Sequence, residues 1–200
     1  MIGEIMNGKK HLIIPVLILT VVFFSGCTNN NTNNKDNSLD ENWLETYSPI
    51  HSVGNESNDF WIDYPSDNPN SSQYVTHLPF VNDSIKDGCV LFVVHKTGCE
   101  ACQPQADRVT SLAEKYKDYV EFHDLDITFG GSVEKRAYDS YLYDPDGPPG
   151  YIALTGIFTL FEKNESIEYA WHSWELDVDS SELETWIRDA IYYYNLYGES

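Results

Sequence analysis

The run Cys89-Val-Leu-Phe-Val-Val-His95 is apolar almost throughout and lacks the alternation of a strand that shows one side to water. A segment of this length, rich in β-branched and aromatic residues, belongs in the middle of a sheet covered on both faces. Helices on both sides of a central sheet supply that cover, so the run predicts an α/β chain. Lys96-Thr-Gly98 follows, then Cys99-Glu100-Ala101-Cys102, and then Ala106, Val109, Leu112, Ala113 and Tyr116 at helical spacing. A closely spaced thiol pair therefore falls between a buried strand and a helix.

The flanking segments complete the order. Residues 81–87 read as a short polar helix before the strand. Residues 120–127 return to a strand pattern, so strand, helix and strand form a right-handed parallel crossover. Residues 132–143 place Val133, Ala137, Tyr141 and Leu142 on one helical face, ended by the breaker run Asp144-Pro-Asp-Gly-Pro-Pro-Gly150. Strands over 151–161 and 167–171 flank the turn Lys163-Asn-Glu-Ser166 as an antiparallel hairpin. A last helix opens at Ser180 or Ser181 with the stripe Leu183, Trp186, Ile187, Ala190, Ile191 and Tyr194. Residues 80–200 are thus one domain. Residues 39–79, with breakers among scattered aromatics (Trp43, Tyr47, Phe60, Trp61, Tyr64, Tyr74), are its N-terminal extension, built of short strands or a wrapped segment.

The chain of 200 residues carries a formal charge of -20, which excludes nucleic acid as a partner and repels an anionic membrane surface. A solvated acidic surface is the simpler reading; an acidic docking face is the alternative. At the N-terminus, Lys9, Lys10 and His11 precede an apolar stretch, Leu12–Phe24, and the small-residue site Ser25-Gly26-Cys27, so residues 1–26 read as an export signal. Phe24-Ser-Gly-Cys27 resembles the lipobox of prokaryotic lipoproteins, which implies lipidation of Cys27 and a membrane anchor on the extracytoplasmic side. An ordinary secretory signal or an uncleaved apolar anchor would also export the chain. The asparagine-rich residues 27–38 read as a disordered tether.

Strand, Cys-x-x-Cys at a helix start, strand, helix, hairpin, helix is the order of the thioredoxin fold, and from about Phe80 to Tyr197 the chain resembles that superfamily. Thr97–Cys102 is similar to its active-site turn, Leu125-Asp126-Ile127 to the strand after the first helix, and Gly156–Leu160 to the segment facing the turn. The resemblance implies a thiol-disulfide oxidoreductase with no cofactor beyond a redox-active Cys99–Cys102 disulfide. Its partners would be thiols and disulfides of exported proteins, with a membrane or exported electron donor. Cys99, placed in the first turn of the helix where unpaired N–H groups favour a thiolate, is the expected attacking thiol, and Cys102 the resolving one.

Several residues depart from the family pattern. Val93 stands where thioredoxins carry a buried acid, and Phe158 where most carry a cis-proline, unless Pro149 takes that role. Glu100 between the cysteines opposes a thiolate by on the order of 1 kcal/mol, against roughly 0.3–1 kcal/mol from a helix terminus. A reducing dithiol is therefore expected, not a strong oxidant. His95 and Lys96 are close enough in sequence to modulate the site, although His95 also reads as a strand-end histidine bonded to backbone. Trp171-His172-Ser173-Trp174 offers an apolar substrate platform beside the thiols; alternatively its tryptophans pack under the last helix. Cys89 reads as an inert core thiol. No metal is expected, because the histidines show no paired spacing. Two competing functions are a surface binding protein with a static Cys99–Cys102 disulfide and a metal-delivery or cytochrome-assembly helper.

Overall fold

A computed structural model describes residues 42–198. The export signal, Cys27 and the tether of residues 27–38 lie outside the described residues.

The apolar run is strand β3 (Cys89–His95), buried at every position. It lies between β4 (Val120–Asp126), which is parallel to it, and β5 (Leu154–Lys163), which is antiparallel. β5 returns as β6 (Ser166–Glu175) through Asn164 and Glu165, whose φ angles of 53° and 64° mark the left-handed turn that suits the twist of a tight hairpin. Outside β6 lie the short strands β2 (Phe60–Trp61) and β1 (Val53–Gly54), giving a six-stranded mixed sheet in the order β1-β2-β6-β5-β3-β4. Helix α2 (Gln103–Lys115) makes the crossover from β3 to β4. Short α1 (Pro79–Ser84) precedes β3, α3 (Gly131–Asp139) follows β4, and α4 (Ser180–Tyr197) closes the domain. Asp179 caps α4 by accepting from the N–H groups of Ser181 and Glu182. The order is that of a thioredoxin-like sheet flanked by helices, with residues of the N-terminal extension adding two strands to its edge.

The pleat of β3 sorts the core into two layers. Cys89, Leu91 and Val93 meet Val109, Leu112, Leu183, Ile187 and Ile191 from α2 and α4. Val90, Phe92 and Val94 meet an aromatic layer that includes Tyr143, Phe158 and Trp171, with Val81 and Ala137 from α1 and α3. Asp189 fastens the extension. Fully buried in α4, its carboxylate accepts from the Tyr47 hydroxyl at 2.5 Å and the His51 N–H at 2.9 Å, and meets His51 Nδ1 at 2.7 Å. The His51 ring then stacks on Trp186 at 3.5 Å.

Several expected boundaries move: α1 spans Pro79–Ser84 instead of 81–87, and β5 spans Leu154–Lys163 instead of 151–161. The helix expected to run to residue 143 ends at Asp139 and tightens into a 3-10 turn over Ser140–Tyr143. β6 continues past Trp171 to Glu175, because β5 offers it backbone partners as far as Leu154.

Candidate redox site

β3 ends at His95, and the chain turns through Lys96, Thr97 and Gly98 into the thiol pair. The Cys99 N–H donates to the Lys96 carbonyl at 3.0 Å, closing a turn in which Gly98 has a φ of +84°, a conformation open to glycine at no steric cost. Asp126, buried at the end of β4, clamps this turn from the side. Its carboxylate accepts the Thr97 N–H at 3.1 Å, the Thr128 N–H at 2.8 Å and the Thr97 hydroxyl. Burial alone would raise its pKa, but the hydrogen bonds from Thr128 and Thr97 outweigh burial and hold the carboxyl well below its ordinary range. The turn is thus anchored to a carboxylate that is ionised at neutral pH.

Cys99 and Cys102 form a disulfide with their Cα atoms 5.3 Å apart. Cys99 is partly exposed, whereas Cys102 is completely buried. This asymmetry lets an outside sulfur meet one cysteine and not the other. Helix α2 begins later than expected, at Gln103, with Cys102 as its cap. Cys99 stands in the turn before the helix, its carbonyl accepting from the N–H groups of Cys102 and Gln103, both at 3.1 Å. The bond from Gln103 is of the i to i−4 kind, so helical pairing already starts at the Cys99 carbonyl and the helix terminus lies beside its sulfur, as the sequence suggested.

Gln105, fully buried in the first turn of α2, locks the pair to the rest of the sheet. Its amide donates to Thr155 Oγ1 and its carbonyl accepts the Val178 N–H, both at 3.0 Å. The start of α2 is thereby fixed to the start of β5 and to the loop after β6. In the segment entering β5, the Pro148–Pro149 and Ile152–Ala153 peptides are cis. Ile152 and Ala153 share one apolar cluster with Cys99 and Cys102.

The expected substrate residues are placed differently. Phe158 does not face the thiols: it sits in mid-β5, fully buried in the aromatic layer on the opposite side of the sheet, with its ring 4.7 Å from that of Tyr143. The period of two along the strand carries it there. Pro149 is exposed and joins neither core layer. The platform over Trp171–Trp174 is also corrected. Trp171 is completely buried in the aromatic layer, and His172 lies on the other face against Trp61 and Trp186 at 4.0 Å. Burial lowers the His172 pKa to about 3, so its ring is neutral, and Nδ1 donates to the Asp59 carbonyl at 2.8 Å. Trp174 is half-buried against Trp186. Trp171 and His172 therefore offer no open surface, and only Trp174 keeps part of its ring in water, in the same apolar cluster as Cys99.

His95 is buried at the end of β3, with Nε2 on Asp124 Oδ1 at 2.6 Å instead of on backbone, and with Nδ1 unpartnered. Lys96 and Glu100 are exposed on the two sides of Cys99. Cys89 is completely buried beneath α4, and burial pushes its thiol far up, which makes it inert near neutral pH. Carboxylate oxygens of Asp144, Asp146 and Glu175 lie within 4.8 Å of one another, a grouping the sequence reading passed over. Asp126 and Gln105 were likewise missed. Only the first left a mark in the sequence, Asp126-Ile-Thr128, where an aspartate accepts the N–H two residues on.

No protein-family model and no curated protein matches the chain. Among solved structures it is similar to chloroplastic thioredoxin z, at 11% identity over 50% of this chain and 76% of that one, with a TM-score of 0.34. It is similar to thioredoxin-2 of a malaria parasite, described as a component of the protein secretion machinery, at 14% identity over 50% of this chain and 82% of that one, TM-score 0.34. It is also similar to the Trx4 domain of ERdj5, at 14% identity over 54% of this chain and 84% of that one, TM-score 0.35. These solved neighbours are thioredoxin-family proteins.

Proposed function

We propose that the protein is an extracytoplasmic thiol-disulfide oxidoreductase that reduces disulfides of exported proteins. The observation that carries this reading is a disulfide with one partly exposed and one buried cysteine, held on a clamped turn at the end of a central strand. In the reduced protein the Cys99 thiolate attacks a partner disulfide, forms a mixed disulfide and expels the second partner sulfur as a thiolate, which takes up a proton. The Cys102 thiolate then attacks Cys99 and releases the first partner sulfur in the same way. Two electrons pass to the partner, and the Cys99–Cys102 bond is closed. A membrane or exported dithiol donor returns the electrons.

Glu100 sets the direction. It is exposed beside Cys99 and opposes a thiolate there, offsetting what the helix terminus supplies, so the thiolate form gains little and the dithiol gives up its electrons readily. Export and anchoring through Cys27 rest on the N-terminal sequence.

The test is a Cys102→Ser variant. It should accumulate mixed disulfides through Cys99 with exported proteins, while the parent protein catalyses insulin reduction by a dithiol. A Cys99–Cys102 bridge that resists reduction under native conditions, with no trapped partners, would overturn the reading in favour of a static disulfide.

A further inference from the structure

Strand register gathers one end of the sheet around the disulfide. Val94, Leu154 and Glu175 lie side by side there, and His95 lies beside Asp126. The disulfide turn, residues 151–153 and the exit of β6 therefore meet at this end. Large apolar side chains stand in water here: Phe129 is 76% exposed, Tyr151 53% and Leu176 53%. Each is tied to the site. Phe129 follows Thr128, whose hydroxyl meets the Thr97 N–H at 3.1 Å; the Leu176 N–H donates to the Ala153 carbonyl at 2.7 Å; and the Tyr151 N–H donates to Glu175.

The exposed charges at this end are mostly negative. Glu100, Asp146 and Asp177 are exposed, and Asp124 and Glu175 border the same surface. Arg108 is already committed to Asp177 at 2.5 Å and His95 meets Asp124 at 2.6 Å, which leaves Lys96 as the nearby cation outside an ion pair among the described residues. Burial raises the Glu175 carboxyl above its ordinary range; the Tyr151 N–H pulls the other way, and Asp144 and Asp146 add repulsion that an incoming cation would offset.

We propose that this end of the sheet is a docking face for cationic polypeptides, so that Cys99 acts preferentially on disulfides flanked by lysine or arginine. The aliphatic stems of those residues would lie on Phe129, Tyr151 and Leu176 while their charges meet the carboxylates. This rests on thiol exchange at Cys99, and it adds a substrate class.

The experiment uses prereduced protein and two peptide disulfides that differ only in flanking lysines or glutamates, in single-turnover reactions quenched with acid. Each rate is divided by that for neutral 2-hydroxyethyl disulfide and corrected with free dithiothreitol as the reference thiol. At low salt the lysine peptide should react about tenfold faster than the glutamate peptide, and the preference should fall to about twofold or less in 0.5 M sodium chloride. The pair Asp146→Asn with Glu175→Gln should cut the low-salt preference about threefold. Asp118→Asn, at the opposite end of the sheet where Val120 pairs with Cys89, should leave it unchanged. Equal rates for the two peptides, or an equal loss in the Asp118 variant, would overturn the docking face and leave the redox function standing. Failure to reduce even 2-hydroxyethyl disulfide would instead overturn the redox function, and the docking face with it.

Discussion

Replacing Asp126 by asparagine tests whether the disulfide turn is held by a charge or merely by shape. The carboxylate takes the N–H groups of Thr97 and Thr128 and the Thr97 hydroxyl. Hydrogen bonds to a charged group contribute about 1.5–3 kcal/mol each. Their sum overstates the loss, because Thr97 and Thr128 are exposed and water takes over part of what the carboxylate gave them. Asparagine also keeps one accepting oxygen. The expected destabilisation is about 2–3 kcal/mol near pH 7, read from urea unfolding of the oxidised protein. The pH dependence adds a second readout. The folded carboxyl lies well below its unfolded value of 3.8, so its stabilisation is fully present above about pH 4 and is lost as pH falls toward the folded pKa. The gap between parent and variant should hold from pH 7 to pH 5 and shrink below about pH 4. A gap under about 0.5 kcal/mol at pH 7, or one that stays flat down to pH 3, would refute the anionic clamp.

Other expectations follow from the same contacts. In the reduced protein, iodoacetamide should label Cys99 at least about tenfold faster than Cys102, as peptide mapping by mass spectrometry would report, because only Cys99 meets solvent. Burial lowers the pKa of His77 to about 4 and of His172 to about 3, so both stay neutral in the fold and bind protons once unfolded. Stability should therefore be full above about pH 6.5 and fall on acidification toward pH 4 by up to about 1.4 kcal/mol per pH unit for each histidine. His172→Gln should flatten the slope. Asp189→Ala should cost about 3–5 kcal/mol in chemical denaturation, because it leaves the Tyr47 hydroxyl and the N–H groups of Ile50 and His51 without their acceptor. Gly156→Ala should cost about 1–3 kcal/mol, since a Cβ there would lie 2.5 Å from the Phe92 ring.

Local pattern made much of this fold legible. An apolar run without alternation marked β3 as doubly covered, helical spacing from Ala106 to Tyr116 marked α2, and the stripe from Leu183 to Ile191 marked α4. The thiol pair was readable because strand and helix fix its place. What failed depended on distant cover. Whether Trp171 and His172 stand in water is decided by Tyr143, Trp61 and Trp186, far off in sequence, which close the two faces of β6. Phe158 lies away from the thiols because the pleat of β5 turns it to the aromatic layer, a side of the sheet that the local pattern of an all-buried strand does not reveal. The start of α2 slipped by a few residues, since a Cys-x-x-Cys turn and a first helical turn look alike in sequence.

The two rims of the sheet also bear on how copies of the protein meet. Among the described residues, β1 at one rim offers only Val53 and Gly54, and at the other β4 exposes the acidic side chains of Glu121 and Asp124. A rim that short gives an incoming strand little backbone to zip onto, and a rim that acidic repels its own copy. Crowded molecules should therefore resist stacking into filaments, even while the reactive end stays open to visitors of opposite charge.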